Sequence, residues 1–398
     1  MFIGKNKNEE SRGTIQLAKN MTSESNELFF GLIRVSIGAQ DVDDFRTYQE
    51  HQSFKVIQSQ WRKLYEISQK QSVLGVCFVG VSRLSNPDCR EYAGMSEDLY
   101  YNWAAVALQI QKRNEKMNRA CSALQSKVSS YGFRSCILKG QGIAGLYLVS
   151  ENSADFQIPD LKLLRQSGDI DLWCDASKDE IVSMANEMGS VESPGYLHIG
   201  TIFNGEPVEF HFRPSYMRNP LYNARLRRFC SSHKEDWIVR DGIVVPSLEF
   251  DAVYLLSHIY RHLFGAGIGL RQLMDYYFLV RSLPDSFDFR EFRKRLKYLG
   301  IYHFAGAVMW VMKAVFGMAE RYLPVDPDAK RGCMLLSDIM KTGNFGRMDE
   351  EQKSSRSNPI GTIVYKVRQW WKLLWYYPEE ALFEPLWRIV KVINNIVI

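Results

Sequence analysis

Apolar residues between Leu28 and about Leu84 recur at helical intervals, as in Phe54, Ile57, Trp61 and Leu64, and predict a set of short helices closed by the polar residues around Pro87. The first 25 residues are polar and rich in Lys, Glu, Ser and Asn. Such a composition buries too little surface to offset its ordering entropy, so a flexible terminus is expected. Ser96 is placed as an N-cap with Glu97 and Asp98 in the first turn. The series Trp103, Val106, Ile110, Met117, Cys121, Leu124, Val128 then predicts one long helix, which Gly132 ends as a left-handed glycine.

The period then changes. Phe133 to Leu138 reads as a buried strand, followed by Lys139-Gly140-Gln141-Gly142, a helical stretch near Ile143 to Leu148, a polar loop from Ser150 to about Asp160, and a second strand, Ile170 to Cys174. Asn204-Gly205 between the apolar-rich runs Tyr196–Phe203 and Glu206–Phe212 is a strong hairpin signal. From Leu248 the pattern is helical almost to the end, broken at Pro284, at Pro324 to Pro327 and at the polar loop Glu350 to Pro359. The expected class is α+β: a helical region over 26–130, a core with a small mixed sheet and flanking helices over 131–245, and a helical region over 246–398.

Of the 398 residues 46% are hydrophobic and 24% charged, which excludes wholesale disorder and fibrous architectures. Lys+Arg 50 against Asp+Glu 45 gives +5, far short of a dedicated nucleic-acid arm. Seven cysteines without a CxxC pair point to a reducing compartment, and a cytoplasmic protein is expected. The N-terminal residues lack the apolar stretch of a signal peptide, and the longest apolar run, Phe304 to Met312, stops at Lys313, short of the ~18 residues a membrane span requires. The stretch Val364 to Ile398 mixes Trp370, Trp371, Trp375 and Trp387 with Lys366, Arg368, Lys372, Arg388 and Lys391. Packed helices with basic rims, rather than peripheral membrane contact, are the expectation there.

Chemistry concentrates in Gly168-Asp169-Ile170-Asp171-Leu172-Trp173. A strand puts Asp169 and Asp171 on one face, about 6.6 Å apart along the chain. Two such carboxylates with a third nearby suit divalent cations that activate an attacking oxygen and neutralise a leaving phosphate, and all-oxygen ligation favours Mg²⁺, with Mn²⁺ as a substitute. With acids at 45 of 398 positions, [DE]-x-[DE] occurs about five times by chance, so specificity has to come from context. That context is the Lys139-Gly140 turn after the preceding strand and Glu209 within Val208-Glu209-Phe210-His211-Phe212, the candidate third carboxylate.

Leu138-Lys139-Gly140, then Arg165 with Gly168-Asp169-Ile170-Asp171-Leu172, then Val208-Glu209-Phe210-His211, resembles the uncharacterised nucleotidyltransferase family of the DNA polymerase β-like superfamily. His258-x-x-x-His262 and Gly269-Leu-Arg271-Gln-Leu-Met-Asp275 are similar to that family's helical region. The resemblance implies a polymerase-β-like core that moves a nucleoside monophosphate from an NTP to a hydroxyl of unknown identity on a protein, a nucleic acid or a small molecule. In that reading Asp169, Asp171 and Glu209 hold metal, Glu209 also aids deprotonation, and Lys139 with Gly140, Gln141 and Gly142 holds triphosphate. Arg165, Gly168 and Arg271 complete the nucleotide site, with His211, His258, His262 and Asp275 behind it. The chain departs from the broad pattern in its Lys-Gly-Gln-Gly turn, where many members carry Gly-Ser, and in the 29 positions from Gly140 to Asp169. Those departures keep open a non-catalytic module that retains the fold for nucleotide sensing or protein interaction. Bland readings remain as well: His258 and His262 as a structural pair, Arg271 and Asp275 as a helical ion pair, Arg165 paired with a neighbouring acid.

Overall fold

Four helices, α1 (Glu24–Ser36), α2 (Val42–Gln49), α3 (Phe54–Lys70) and α4 (Leu74–Leu84), lead to the long helix α5 (Glu97–Ser130) in the computed structural model. The model describes residues 24–49, 54–85, 92–148, 160–189, 191–265, 267–344 and 359–389. The expected flexible terminus, apart from Glu24 and Ser25 in α1, and nearly all of the polar loops at 150–160 and 350–359 lie outside those residues. Helix α5 begins where its cap predicts: Ser96 Oγ accepts from the Leu99 N–H, and Gly132 takes a φ of 84° beyond the other end.

The sheet has the order β1-β2-β4-β3, made of β1 (Ser135–Ile137), β2 (Ile170–Cys174), β3 (His198–Phe203) and β4 (Glu206–His211). Strands β2 and β4 run parallel and the other two pairs antiparallel. Period-two alternation gives the sheet two different faces. Ile137, Ile170, Leu172, Cys174, Ile199, Val208 and Phe210 pack under Met117, Cys121, Leu124 and Val128 of α5 and under α8 (Lys178–Met188). The opposite face carries Asp171, Trp173, Glu209 and His211, with Trp173 stacked on Phe250 at 5.4 Å.

Two expectations need correction. The helical stretch near Ile143 to Leu148 is only α6 (Gln141–Ala144), and it starts two residues earlier. A Cβ on Gly142 would lie 2.5 Å from the Ile137 carbonyl, so glycine lets this turn sit directly on β1. The periodicity predicts no strand between Phe212 and Leu248, yet β5 (Ile238–Arg240) and β6 (Ile243–Val245) form a separate hairpin. Its turn residues Asp241 and Gly242 have φ of 50° and 78°, the geometry Asp-Gly favours.

The short helix α7 (Leu161–Leu164) packs against α4 and α5, α9 (Pro220–Ser232) comes after β4, and α10 (Leu248–Leu263), α11 (Leu270–Arg281), α12 (Phe289–Tyr298), α13 (Tyr302–Phe316), α14 (Ala329–Thr342), α15 (Pro359–Tyr376) and α16 (Pro378–Ala381) follow. First and last helical regions share one core: Arg34 Nε donates to the Val315 carbonyl at 3.1 Å, and Gln71 Nε2 to that of Ile339 at 2.9 Å. Among the described residues no helix is long and apolar enough to cross a membrane.

Candidate active site

Strand register places the acids. Asp171 lies opposite Glu209 across the parallel β2–β4 pair, so both side chains leave the same face, and Asp169 enters from the residue before β2. Carboxylate oxygens of Asp169, Asp171 and Glu209 lie within 4.8 Å of one another. Asp171 is buried, whereas Asp169 and Glu209 are partly open at 37% and 28% side-chain exposure, so the cluster faces a solvent-accessible mouth.

Cations already answer these charges. Lys139 Nζ stands 2.6 Å from Asp171 Oδ2 and 3.9 Å from Asp169 Oδ1. Burial alone would lower the pKa of this ammonium, but Asp171, Asp169 and Glu209 outweigh it and hold it above its ordinary value. His211 Nε2 lies 2.9 Å from Asp171 Oδ1 and 3.2 Å from Glu209 Oε2, while its Nδ1 approaches the Arg213 carbonyl at 3.2 Å. Burial opposes its charge, yet the hydrogen bonds to the two carboxylates push its pKa up to about 8. Glu209 is itself buried enough to favour protonation, but His198 and His211 hold it well below the usual carboxylate range.

His198 was not among the candidates from sequence. Its Nδ1 lies 2.8 Å from Glu209 Oε2, and its backbone pairs with His211 in the β3–β4 hairpin. His198, Glu209 and His211 consequently form a second potential ligand group that shares Glu209 with the carboxylate trio. The oxygen-only trio fits Mg²⁺ or Mn²⁺, whereas the imidazole pair suits softer divalent ions.

Arg165, Arg271 and Asp275 do different work from the carboxylates. Asp275 accepts from Arg165 Nε at 2.6 Å, from Arg165 Nη2 at 2.7 Å and from the Tyr147 hydroxyl at 2.6 Å, all buried. Arg271 Nη1 donates to the Gln166 carbonyl at 2.8 Å. Asn114 Nδ2 reaches the Leu163 and Arg165 carbonyls at 2.6 and 2.7 Å, and Arg113 holds Ser167 Oγ and the Gly168 carbonyl, each at 3.2 Å. The segment 163–168, which delivers Asp169, is thereby braced at almost every residue. Gln141, expected at the triphosphate, points its amide at Asn118 Oδ1 at 2.7 Å. Gly140 supplies the turn's left-handed backbone with a φ of 64°.

Helix α10 brings rings to the site in a row of i, i+4 neighbours: Phe250, Tyr254, His258 and His262 touch in sequence, with His258 and His262 at 4.5 Å. Burial pushes both histidines well below their ordinary pKa, and the fields of Arg261 and Lys139 add to it, so both are neutral imidazoles at pH 7. Arg261 Nη2 lies 3.2 Å from His258 Nδ1 and 3.4 Å from His262 Nε2. A cavity of about 440 Å³ lies farther along, lined by Tyr216, Arg218, Phe264, Leu335, Trp370 and Trp387 among others, and none of the three carboxylates borders it.

The family model described as "Uncharacterised nucleotidyltransferase" matches residues 58–317, a span that contains every residue of the cluster. No curated protein and no solved structure matches the chain.

Proposed function

We propose, for a chain that belongs to this uncharacterised nucleotidyltransferase family, that the polymerase-β-like site transfers a nucleoside monophosphate from an NTP to a hydroxyl acceptor. The single observation that carries the reading is the convergence of Asp169, Asp171 and Glu209 within 4.8 Å beside Lys139. Mg²⁺ or Mn²⁺ held by these three carboxylates would neutralise phosphate charge and lower the pKa of the attacking hydroxyl.

The residues' own roles follow from their geometry. Asp171 is the buried anchor, fixed from one side by His211 and from the other by Lys139. Lys139 moves from Asp171 to the triphosphate once other positive charge reaches the carboxylates, and the Gly140–Gly142 turn receives the phosphates beside it. Glu209, kept anionic by two imidazoles, contributes charge and orientation more than proton uptake. The acceptor oxygen attacks the α-phosphorus, the bond to the β-phosphate oxygen breaks, pyrophosphate leaves, and the hydroxyl proton passes to solvent. Arg165, Arg271 and Asp275 act by holding the segment before Asp169, and the neutral His258 and His262 form the wall towards which base or acceptor extends.

The non-catalytic alternative has one observation in its favour, the Lys139–Asp171 ion pair, which already occupies the most buried carboxylate. Incubation of the protein with each α-labelled NTP, Mg²⁺ or Mn²⁺ and a cell extract separates the readings. A labelled product that disappears in Asp171→Asn supports transfer; nucleotide binding without product under any condition supports a sensor. An Asp171→Asn variant that folds and transfers at the wild-type rate rejects the site.

A further inference from the structure

Glu209 has two sets of neighbours. Towards β2 it stands with Asp169 and Asp171; towards β3 it stands with His198 and His211, one ligand atom from each of these three lying within 4.8 Å of the others. Register brings the second set together. His198 and His211 face each other across the β3–β4 hairpin and Glu209 precedes His211 by two residues, so all three side chains leave one face of the sheet. The two rings meet edge to face, 4.9 Å between centres at 88°, and each turns a nitrogen to the same carboxylate oxygen. His198 Nδ1 is 2.8 Å and His211 Nε2 3.2 Å from Glu209 Oε2.

His211 is oriented as a ligand would be. The Arg213 carbonyl 3.2 Å from Nδ1 can only accept, so Nδ1 carries a hydrogen and Nε2 is the atom left towards the acids. Metal-bound histidines are commonly fixed through their other nitrogen in this way. Nε2 also faces Asp171 Oδ1 at 2.9 Å, and two carboxylates on one buried ring nitrogen require a positive centre beside it, a proton or a metal ion. His198 gives a second observation: its Nδ1 is buried and close to Glu209, yet out of line for a hydrogen bond.

The surrounding cations are engaged elsewhere. Lys139 stands on the other oxygen of Asp171, Arg213 Nη1 donates to the Tyr196 carbonyl at 3.2 Å, and Arg261 lies on His258 and His262. A further acid is near. The carboxylate of Glu192 packs over Gly200, the residue opposite Glu209, where a Cβ would lie 2.9 Å from its Oε2. Ligand atoms about 2.0–2.1 Å from a tetrahedral zinc ion are about 3.3 Å apart, close to the 2.8 and 3.2 Å found here. His198 and Glu209 are 32% and 28% exposed, which leaves an entry path and room for water as a further ligand.

We propose that His198, Glu209 and His211 bind Zn²⁺ or a similar transition-metal ion, and that this ion and Mg²⁺ on the three carboxylates exclude each other because both use Glu209. The exclusion rests on the reading of the carboxylate trio given above; the nitrogen-ligated site does not. Where the trio catalyses transfer, Zn²⁺ is its inhibitor.

Isothermal titration of the full chain with Zn²⁺ or Mg²⁺, and absorption spectra with Co²⁺ in place of zinc, test it. His198→Asn should weaken Zn²⁺ binding about tenfold or more and leave Mg²⁺ binding within about twofold. Co²⁺ on the wild type should give the intense visible bands of a tetrahedral centre, whereas an all-oxygen octahedral centre absorbs weakly. Saturating Zn²⁺ should weaken Mg²⁺ binding to the wild type about tenfold or more. Equal Zn²⁺ affinity in wild type and a folded His198→Asn overturns the site, and so does Co²⁺ without intense bands on the wild type, a readout that needs no variant. Zn²⁺ and Mg²⁺ that bind together without weakening each other overturn the exclusion. A chain that takes Zn²⁺ through His198 but binds no Mg²⁺ rejects the carboxylate reading, and the exclusion with it, while the zinc site stands.

Discussion

Replacing Asp275 by Asn removes one charge from a buried pair while keeping nearly the same shape. Arg165 and Asp275 are 4% and 6% exposed, and two guanidinium nitrogens and the Tyr147 hydroxyl all converge on that carboxylate. The substitution leaves Arg165 cationic at a site without solvent, and breaking such a pair from one side costs about 3–5 kcal/mol. The loss should appear as a lower urea midpoint at unchanged slope. Divalent-metal affinity should weaken too, because Arg165 stops bracing the segment that presents Asp169. Removing both charges with Arg165→Met and Asp275→Leu should recover much of the stability, since apolar replacement of a buried pair is often near neutral. A residual ~1–3 kcal/mol should remain for the Tyr147 hydroxyl left without its acceptor. A single variant within ~1 kcal/mol of wild type, or a double variant no better than the single, would refute the assignment of this pair as a buried brace.

Three further outcomes follow from the same structure. His211 has its pKa raised from 6.5 to about 8, so its contribution is full below pH 6.5 and is lost as pH climbs through 8; the shift corresponds to about 2 kcal/mol, and His211→Asn should flatten urea stability between those limits. Asp251 is buried with neither oxygen hydrogen-bonded among the described residues, and burial pushes its pKa well above the usual range. Its raised pKa makes stability fall as pH rises, so Asp251→Asn should gain about 1 kcal/mol or more at pH 8 and little at pH 4, as read from melting curves at the two pH values. Gly142→Ala places a Cβ 2.5 Å from the Ile137 carbonyl and should cost about 1–3 kcal/mol in urea titrations while moving Lys139 off Asp171.

Much of the sheet was readable because its signals are local. Ile170–Cys174 falls where the apolar run places it, and the Asn204-Gly205 turn pairs Phe203 with Glu206. Counting outward from that turn sets Gly200 opposite Glu209 and His198 opposite His211, so the histidine missed from sequence was within reach of the register. Asp241-Gly242 carried the same kind of signal for β5 and β6. The braces of the Asp169 segment had no local mark: Asn114 and Leu163 are 49 positions apart, and Arg165 and Asp275 are 110. Which arginine meets which acid is decided by how α5 and α11 pack against that segment, and periodicity does not encode it.

The charge balance of the cluster ties these observations together. Three carboxylates converge where water is partly excluded, an arrangement that costs free energy unless positive charge accompanies it. Lys139 and a protonated His211 supply that charge inside the chain. The two are not equivalent. His211 is packed within the sheet, its ring held by Asp171, Glu209 and the Arg213 carbonyl, whereas Lys139 sits at the end of a flexible four-carbon stem beside a glycine turn. A divalent ion held by Asp169 and Glu209 would compete with the mobile cation rather than the fixed one, and the ammonium of Lys139 would then be left next to the turn proposed for the phosphates. Lys139→Met should consequently tighten divalent-ion binding while weakening NTP binding, two changes of opposite sign that isothermal titration measures separately. A variant that binds both less tightly would mean that Lys139 supports the fold of the cluster instead of exchanging between carboxylate and phosphate.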